Sequence, residues 1–505
     1  MKHPTKPRAT RALIAGAVGV ASLAAMAVGG TAGAAPPVGN DLGFTPITTN
    51  ALACSVTGLP LFANDRRNQP VTPMVLMQTG DAAAPVNAPA TSTAVGREND
   101  MIALTPDGRY LFAVSENASF SDGVTRLTLK GRDAGKKEIL AAPTPPATWS
   151  RVDGAKWYPF GGSSPSADDE HESEHDDGAG VLLVSEEFST GGIWQVDPNN
   201  GAFTRLDWLG NLSHEGVGLD RAGNLYLGDE NRIGAIYKAV PSNPRDLTQG
   251  GTLSYLVGTA IDATGWKAVV NPVNAIAEAN TNGAILFDRP EDFDERNGRV
   301  YFAVTEPQGD SDARKGSYDG TPGDGGGASP LNQVVNRGGV YSVNTVCVPD
   351  LAVQSGAAPY TKLTPLIEVQ DPEYATQADA QAQQGLQYPD NLAFDGRGRL
   401  WVHEDIPDDT VATPTNKHSK QYRNQQDELY AYVLNSTGTA IVPNPTSLGG
   451  SGGYKAADMR SSDAAHPCEN EFSGGIFGQE GKTLFINQQH WANPTLAVRF
   501  GGSDR

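Results

Sequence analysis

The sequence predicts an all-β protein, a six-bladed β-propeller with long loop insertions. Two observations support this fold class. A loose unit, in which a glycine-containing turn leads into a short apolar strand, occurs six times along the chain. Helix-type spacing of apolar residues is scarce, whereas 58 glycines and 35 prolines indicate many turns. Repeated short antiparallel hairpins of this kind are typical of propeller blades.

Each repeated unit is expected to join the first and second strands of one blade. The turns precede the strands at Gly108, Gly180, Gly223, Gly298, Gly398 and Gly481. Segments with the composition of third strands follow at 192–196, 234–237, 339–343 and 428–432. The units are unevenly spaced, and insertions are predicted at 80–95, 161–179, 309–330 and 444–465. A pair of β-sandwiches or an irregular barrel is the alternative architecture.

The first 34 residues are predicted to be a secretion signal. Four basic residues lie within the first eleven positions, an apolar stretch covers 12–28, and Ala32-Gly33-Ala34 offers a cleavage site. A transmembrane anchor is the alternative, but the apolar stretch is short for one. Arg8 and Arg11 are not adjacent, so the twin-arginine export route is not indicated. We therefore expect a secreted protein in which 35–505 form one propeller domain, with blades over about 95–500.

The charge of the chain restricts its partners. The formal net charge is −20, and loss of residues 1–34, which contain four basic and no acidic side chains, would make it about −24. Strong negative charge disfavours nucleic acid and anionic membranes as partners. We expect a monomer that acts on a small molecule. The cysteines, Cys54, Cys347 and Cys468, have no CxxC spacing, so a metal site would use oxygen ligands, and the disulfide pairing stays open.

Acidic residues stand at corresponding points of the repeated units. A first set precedes the turn in five units and comprises Asp100, Glu215, Glu291, Asp390 and Glu471. A second set follows the next strand and comprises Glu116, Glu186, Glu187, Asp229, Glu230, Glu306, Glu404 and Asp405. The first strand of a blade lines the central channel, and the antiparallel second strand returns to the same face, so both sets should meet at one rim.

Carboxylates gathered at one rim predict a site for divalent cations. Crowded carboxylates repel and raise one another's pKa unless they share cations. Ca²⁺ takes about six to eight oxygen ligands from carboxylates, amides and carbonyls. Neutral oxygens are available beside the acids from Asn99, Asn117, Asn231 and Asn391. The sequence therefore predicts a calcium site at the mouth of the channel.

Three further side chains are candidates for this site. His214 and His490 are interpreted as ligands, proton donors or core residues. Arg289 lies two residues before Glu291 and suits an anion, phosphate or carboxylate, held over the metal ions. A salt bridge to an acid of the ring is the alternative for this arginine. The acidic run 168–177 is more typical of a solvated loop, and no G-x-S-x-G motif supports a serine hydrolase.

The order of these motifs resembles the PhoX family of secreted bacterial alkaline phosphatases. The similar segments are Ser213-His214-Glu215-Gly216, 287–292, 389–392, 471–474 and Ser185-Glu186-Glu187, the last standing where the family has Cys-Glu-Glu. The resemblance implies a calcium–iron cluster at the channel mouth that hydrolyses phosphate monoesters. It also implies Glu187, Glu215, Glu291 and Glu471 as ligands, with Arg289 holding the phosphoryl group.

The residue at 185 bears on the choice of metal. Serine in place of the family's cysteine favours calcium over iron, because soft ligands favour iron and carboxylates suit calcium. Glu186, Asn391 and the two histidines complete the candidate ligand set. A lactonase or phytase-like calcium-dependent propeller and a non-catalytic calcium-binding propeller are the alternative functions.

Overall fold

Six β-sheets, each built on four antiparallel strands, surround a common channel in the described part of the computed structural model of this chain. The structure describes residues 43–48, 58–86, 94–96, 98–116, 123–141, 149, 151–161, 180–230, 234–259, 262–305, 333–335, 339–344, 361–362, 366–368, 386–406, 427–434, 453–460, 470–490 and 494–500. The segment 1–34, the three cysteines, the acidic run 168–177 and the side chains of Asn117, Asn231 and Glu306 lie outside these residues.

Each sheet forms one blade, and the blades follow one another in chain order. Blade 1 contains Asn99–Leu104, Tyr110–Ser115, Val124–Thr128 and Lys137–Ala141; blade 2 contains Val152–Tyr158, Val181–Glu186, Ile193–Val196 and Phe203–Arg205. Blade 3 contains Val217–Leu219, Leu225–Gly228, Gly234–Pro241 and Gly251–Thr259; blade 4 contains Pro290–Arg296, Arg299–Val304, Gly339–Asn344 and Ile367–Glu368. Blade 5 contains Pro389–Phe394, Leu400–Glu404, Glu428–Tyr432 and Tyr454–Asp458; blade 6 contains Glu471–Phe477, Thr483–Gln489, Thr495–Arg499 and Met74–Met77.

Short elements extend this framework. Strands added to blade 3 are Asp262–Ala268, Ile285–Phe287, Gln333–Val335 and Thr361–Lys362. The remaining strands are Phe44–Thr45, Leu61–Phe62, Asn64–Asp65 and Ala84–Pro85. Helical turns lie at Asp207–Leu209, Leu247–Gln249 and Pro272–Asn274, and an α-helix spans Ala275–Thr281. Among the described residues, no helix has the length and apolar character needed to cross a bilayer.

The blades close into a ring. The first strand of every blade contacts the first strand of the next, and the first strand of blade 6 contacts that of blade 1. Met74–Met77 pairs with Thr495–Arg499, so the last blade takes its outer strand from the other end of the chain. The structure thus confirms the predicted six-bladed propeller. It also moves the start of the blade-forming region from about 95 to 74, because a strand paired so far along the sequence has no turn beside it to reveal it.

The hydrophobic core is divided among the interfaces between blades. Six clusters of buried residues are present among the described residues, and each fills the space between two neighbouring blades. Blades 3 and 4, for example, enclose Phe287 and Phe302, whose rings pack edge to face. A cyclic series of interfaces is what a propeller requires, and a pair of sandwiches would instead bury two separate cores.

The turns between first and second strands use glycine as predicted. Gly108, Gly223, Gly298, Gly398 and Gly481 all have positive φ, between 63° and 83°. Other side chains disfavour this left-handed conformation, so glycine allows the tight reversal. The turn at Gly180 differs, because residues 162–179 lie outside the described part of the chain and separate the two strands of blade 2.

Candidate metal centre

Each blade brings one carboxylate, at or just before the start of its inner strand, to the same end of the channel. The acids, one from each blade in order, are Asp100, Asp153, Glu215, Glu291, Asp390 and Glu471, of which Glu215 lies two residues before its strand. In blades 1, 2, 4 and 5 the pairing of the first two strands shifts register across this acid, whereas in blade 6 the shift follows Ser473, two residues after Glu471. Such a bulge bends the strand and redirects a side chain, and here it lies where the inner strand begins.

A second local feature recurs just before these acids. Glu98, Arg151, Arg289 and Tyr388, each two residues before an inner-strand acid, have positive φ between 44° and 51°. Non-glycine residues pay roughly 1–2 kcal/mol for this conformation, and it is concentrated at functional sites. Their carbonyl groups accept hydrogen bonds from the backbone N–H groups of Glu116, Glu187, Thr305 and Asp405, respectively. The same turn therefore places the residues at the ends of the second strands beside the inner-strand acids.

Three blades supply the most buried group of carboxylates, which we call group A. Oxygens of Glu215, Glu291 and Asp390 lie within 4.8 Å of one another. Thr305 Oγ1 donates to Glu291 Oε1 at 2.6 Å. Asn391 Nδ2 donates to Glu215 Oε1 at 2.7 Å, while Asn391 Oδ1 accepts from the N–H of Gly474 at 2.7 Å. These neutral donors fix the orientation of the acids without neutralising them.

Blades 1 and 2 supply a second group, which we call group B. Oxygens of Glu116, Asp153 and Glu187 also lie within 4.8 Å of one another. Arg151 bridges this group, because its Nη2 is paired with Glu116 Oε1 at 2.8 Å and with Glu187 Oε2. Gln489 Nε2 from blade 6 donates to Glu116 Oε2 at 2.8 Å.

The two groups are connected by the remaining acids of the rim. The Asp100 and Asp153 side chains lie in hydrogen-bonding contact, as do those of Glu187 and Glu230. Glu471 lies against Asp405, and its Oε1 is 3.1 Å from His490 Nε2. The carboxylates predicted from five separate units therefore meet at one mouth.

Burial raises the pKa of the clustered carboxyl groups. Loss of hydration and then neighbouring negative charge raise the pKa of Glu215 and Asp390 well above the usual range. Burial raises the pKa of Glu291 to about 8, although Arg289 opposes the shift. Burial and Glu230 raise the pKa of Glu187 to about 11. Protons compensate the mutual repulsion in the absence of cations, and bound cations would replace them.

The oxygen atoms at the mouth fit the coordination of a hard divalent cation. Among the described residues, Glu291 Oε2 and Asp153 Oδ1 are buried and accept no hydrogen bond from any donor. A buried carboxylate oxygen without a donor is costly, and coordination of a metal ion would satisfy it. The nearby atoms that could coordinate a metal ion are carboxylate and amide oxygens, the ligand types that Ca²⁺ prefers.

Arg289 projects into the same mouth. Its Nε and Nη2 donate to Glu230 Oε1 at 3.1 and 2.8 Å, and its Nε lies 3.0 Å from Glu291 Oε1. Nη1 lies 3.8 Å from Asp405 Oδ2. Burial lowers and these three acids raise the pKa of Arg289, and the net shift is upward. The guanidinium is a fixed positive charge beside group A, and its side chain is 26% exposed.

Two candidate residues are directed elsewhere. Glu186 Oε2 accepts hydrogen bonds from Gly192 N at 3.2 Å and Trp194 Nε1 at 2.9 Å, so this carboxylate joins strands of blade 2. His214 is buried, and burial together with Arg205 lowers its pKa to about 3. Two residues act on this imidazole, Arg205 through its charge and Gly210 through its backbone, and neither belongs to group A or group B. Glu187 and Glu215, the neighbours of these two residues in sequence, are the ones that reach the mouth.

Three contributors were not predicted from the sequence. Asp153 is the inner-strand acid of blade 2, but an insertion separates it from the turn that revealed the other acids. Arg151 has the same position relative to Asp153 as Arg289 has to Glu291, a signal that was present in the sequence. Thr305 follows the second strand of blade 4 at the position that acids occupy in blades 1, 2, 3 and 5.

Close packing at Gly154 gives a first prediction. A Cβ atom at this residue would collide with the Glu215 carbonyl oxygen and with Ser185 Oγ, which donates to that carbonyl at 2.6 Å. We expect Gly154→Ala to lower the melting temperature and to weaken calcium binding at group A, measured by calorimetry. Gly250→Ala is the control: Gly250 has positive φ and no neighbouring atom within 4 Å of the added Cβ, so backbone strain should lower its melting temperature while its calcium affinity stays unchanged. Equal loss of calcium affinity in both variants would contradict the packing argument.

A family model described as alkaline phosphatase PhoX matches residues 180–491, more than half of the chain. The chain belongs to the PhoX family of alkaline phosphatases. PhoX phosphatases depend on metal ions, and groups A and B provide carboxylates that could bind them. No curated protein matches this chain by sequence.

A search of solved structures finds the same fold. Pseudomonas fluorescens PhoX in complex with vanadate, a transition state analogue, is similar with 16% identity and a TM-score of 0.52 over 90% of this chain and 98% of that chain. At this identity the similarity bears on the fold, and it agrees with the six blades. A gluconolactonase from Xanthomonas campestris matches with 11% identity and a TM-score of 0.38 over 90% of this chain and 99% of that chain. A PQQ-bound aldose sugar dehydrogenase from Streptomyces coelicolor matches with 10% identity and a TM-score of 0.39 over 85% of this chain and 98% of that chain. These two similarities are too weak to inform function.

Proposed function

We propose that this PhoX-family protein is a metal-dependent phosphatase that hydrolyses phosphate monoesters at the mouth of the propeller channel. The observation that carries the proposal is the meeting of Glu215, Glu291 and Asp390 from three blades beside the guanidinium of Arg289. A partly exposed cation next to a site for divalent cations suits a dianionic phosphoryl group.

The residues of the mouth divide the work between holding cations and holding the substrate. Glu187, Glu215, Glu291, Asp390, Glu471 and Asp100 are proposed to coordinate metal ions, with Asn391 as a neutral ligand or a support. When bound, divalent cations neutralise charge that develops on the phosphoryl oxygens and lower the pKa of water. Arg289 would orient the phosphoryl group through Nη1, which lies 3.8 Å from Asp405 Oδ2, and through the second N–H of Nη2, since Nε and the other N–H of Nη2 are engaged by Glu230. His490, paired with Glu471 at the rim, would hold that carboxylate in position.

Calcium is the proposed metal. The described donors of groups A and B are oxygens, and Ser185 Oγ is engaged with the Glu215 backbone. A hydroxyl is a poorer ligand for iron than a thiolate, whereas clustered carboxylates suit calcium. Elemental analysis of protein purified without chelator is expected to find calcium in excess of iron. Stoichiometric iron would overturn this choice of metal but not the proposed reaction.

The reaction itself is tested with p-nitrophenyl phosphate. We expect turnover with calcium at alkaline pH, loss of turnover in a chelator and recovery when calcium is restored. A lactone and a phytate substrate measured in parallel separate the lactonase and phytase-like alternatives. Absence of phosphate release under calcium, iron or both would contradict the proposal. Calcium stabilisation without any turnover would support the non-catalytic alternative, because ligand binding raises stability by mass action.

We further propose that the protein is secreted after removal of residues 1–34. The support is the basic, apolar and small-residue pattern of this segment. Expression with its own N-terminus in a bacterial host should yield extracytoplasmic protein whose first residue is Ala35. Retention of the full N-terminus in the membrane fraction would favour the anchor.

The raised pKa values predict how pH affects the metal-free protein. Burial raises the pKa of Asp100 from 3.8 to about 6, of Asp292 from 3.8 to about 7 and of Glu291 from 4.5 to about 8. A group with a raised pKa in the folded state stabilises the fold at low pH, and this contribution is lost as pH rises through the folded-state value. We expect the melting temperature of chelator-treated protein to fall between pH 5 and 8.5, and calcium to remove most of the fall. A melting temperature of metal-free protein that rises over this interval would contradict the assignment.

A further inference from the structure

Arg151 and Arg289 occupy equivalent positions in two blades. Each has positive φ, 48° and 51°, and each lies two residues before the inner-strand acid of its blade. Each side chain lies between acids that follow second strands, Glu116 and Glu187 for Arg151 and Glu230 and Asp405 for Arg289. Glu98 and Tyr388 share the backbone conformation, so the turn itself does not require arginine.

The two guanidinium groups differ in how many of their nitrogen atoms contact carboxylates. All three nitrogens of Arg289 face carboxylates of the mouth. Arg151 contacts Glu116 through Nε and Nη2 and Glu187 through Nη2, and Nη1 takes no part in these contacts. The Arg151 side chain is 46% exposed, against 26% for Arg289. Within the described part of the chain, Arg151 therefore keeps a charged and directional donor, Nη1, that Glu116 and Glu187 do not engage.

The two arginines are separated by one blade. Arg151 contacts Glu187, the Glu187 and Glu230 carboxyl groups contact each other, and Glu230 contacts Arg289. This path from the Arg151 guanidinium to the Arg289 guanidinium consists of three hydrogen-bonded contacts and two carboxyl groups, so the two guanidinium groups are at most roughly 13 Å apart. Two anionic groups on one small molecule can bridge this distance.

We propose that Arg151 is a second anion-binding residue, which makes the site favour small molecules with a further phosphate or carboxylate besides the reacting phosphoryl group. This inference rests on the proposed function, in which Arg289 holds the reacting group. Arg151 binds the distal anion at the rim of blade 2. Because both guanidinium groups are held by buried or half-buried acids, their spacing is fixed before the substrate arrives, which lowers the entropic cost of binding.

Calorimetry with non-hydrolysable ligands tests this inference apart from catalysis. Full-length protein at fixed free calcium is titrated with butylphosphonate and with butane-1,4-bisphosphonate. Wild type is expected to bind the bisphosphonate at least about tenfold more tightly. Arg151→Met should reduce this preference to below about threefold and change the butylphosphonate affinity by less than about twofold. Arg151→Lys keeps the charge without the two-pronged donor, and it should lose part of the preference even where Arg151→Met fails to fold.

A lysine variant on blade 1 serves as the control for the Arg151 variants. Lys136→Met removes a cation of similar exposure that pairs with Glu138 on an outer strand of blade 1, and it should retain the wild-type preference. Equal affinity of wild type for the two ligands, or equal loss of both affinities in both Arg151 variants, would overturn the role of Arg151. Failure to release phosphate from butyl phosphate would contradict the proposed reaction, while the calorimetry decides the role of Arg151 independently.

Discussion

Glu291→Gln is expected to lower kcat/KM for p-nitrophenyl phosphate by at least about 100-fold, because the buried carboxylate that we propose as a metal ligand at the centre of group A is lost. Glu291 is fully buried, and its Oε2 accepts no hydrogen bond within the described part of the chain. A glutamine keeps the shape and the bond from Thr305 but removes the negative charge that a cation would share with Glu215 and Asp390.

The same substitution should affect stability in opposite ways with and without calcium. At pH 9, above the raised pKa of about 8 for Glu291, the metal-free variant loses a repelled charge and should melt at a higher temperature than metal-free wild type. The increase in melting temperature on adding calcium should be smaller in the variant. Glu295→Gln is the matched control, because Glu295 lies at the far end of the same strand. Calcium stabilisation that is unchanged in Glu291→Gln would contradict the metal assignment of this residue.

Arg289→Met is expected to lower kcat/KM by about 100- to 1000-fold, a loss typical of removing one donor to developing charge. Calcium should still bind, and more tightly, because the positive charge that competes for Glu291 and Glu230 is gone. The metal-free variant should be less stable than wild type, since three acids lose their shared counter-charge. Steady-state kinetics and calcium calorimetry on the same preparation measure both effects.

A second arginine on the same strand serves as the control for Arg289. Arg296 lies at the opposite end of Pro290–Arg296, where its Nη1 donates to the Asp395 carbonyl and its guanidinium lies over Phe394. The strand rise places it roughly 20 Å from the mouth. Arg296→Met should retain activity and lose only stability. An active Arg289→Met enzyme would show that this arginine serves only as a salt-bridge partner.

The sequence revealed the fold through its turns. Gly223 and Gly398 mark tight reversals between an inner strand and a second strand, and each stands eight residues after an acid. Local chemistry of this kind is readable because glycine conformation and strand alternation act over a few residues. Met74–Met77 was not predicted, because its partner Thr495–Arg499 is more than 400 residues away.

The inner-strand acids were predictable in blades whose first and second strands are close in sequence, and the acid of blade 2 was missed because its two strands are far apart in sequence. Asp153 stands at the same position of its inner strand as Asp390, but Gly180, which precedes the second strand, follows it by 27 residues in the sequence rather than by the eight that separate Asp390 from Gly398. The sequence alone could not show which of Glu186 and Glu187 faces the channel mouth, since adjacent residues at a strand end face opposite sides. Only the fold shows that Glu186 bonds to Trp194 and that Glu187 joins group B.

A crystal structure of the calcium-loaded protein tests the central claim most directly. The account predicts a cation bound by Glu215, Glu291 and Asp390, with oxygen–metal distances of about 2.3–2.6 Å. Anomalous scattering measured at long wavelength would identify it as calcium. Calcium bound only outside the channel mouth, with these three carboxylates still held together by protons, would contradict it.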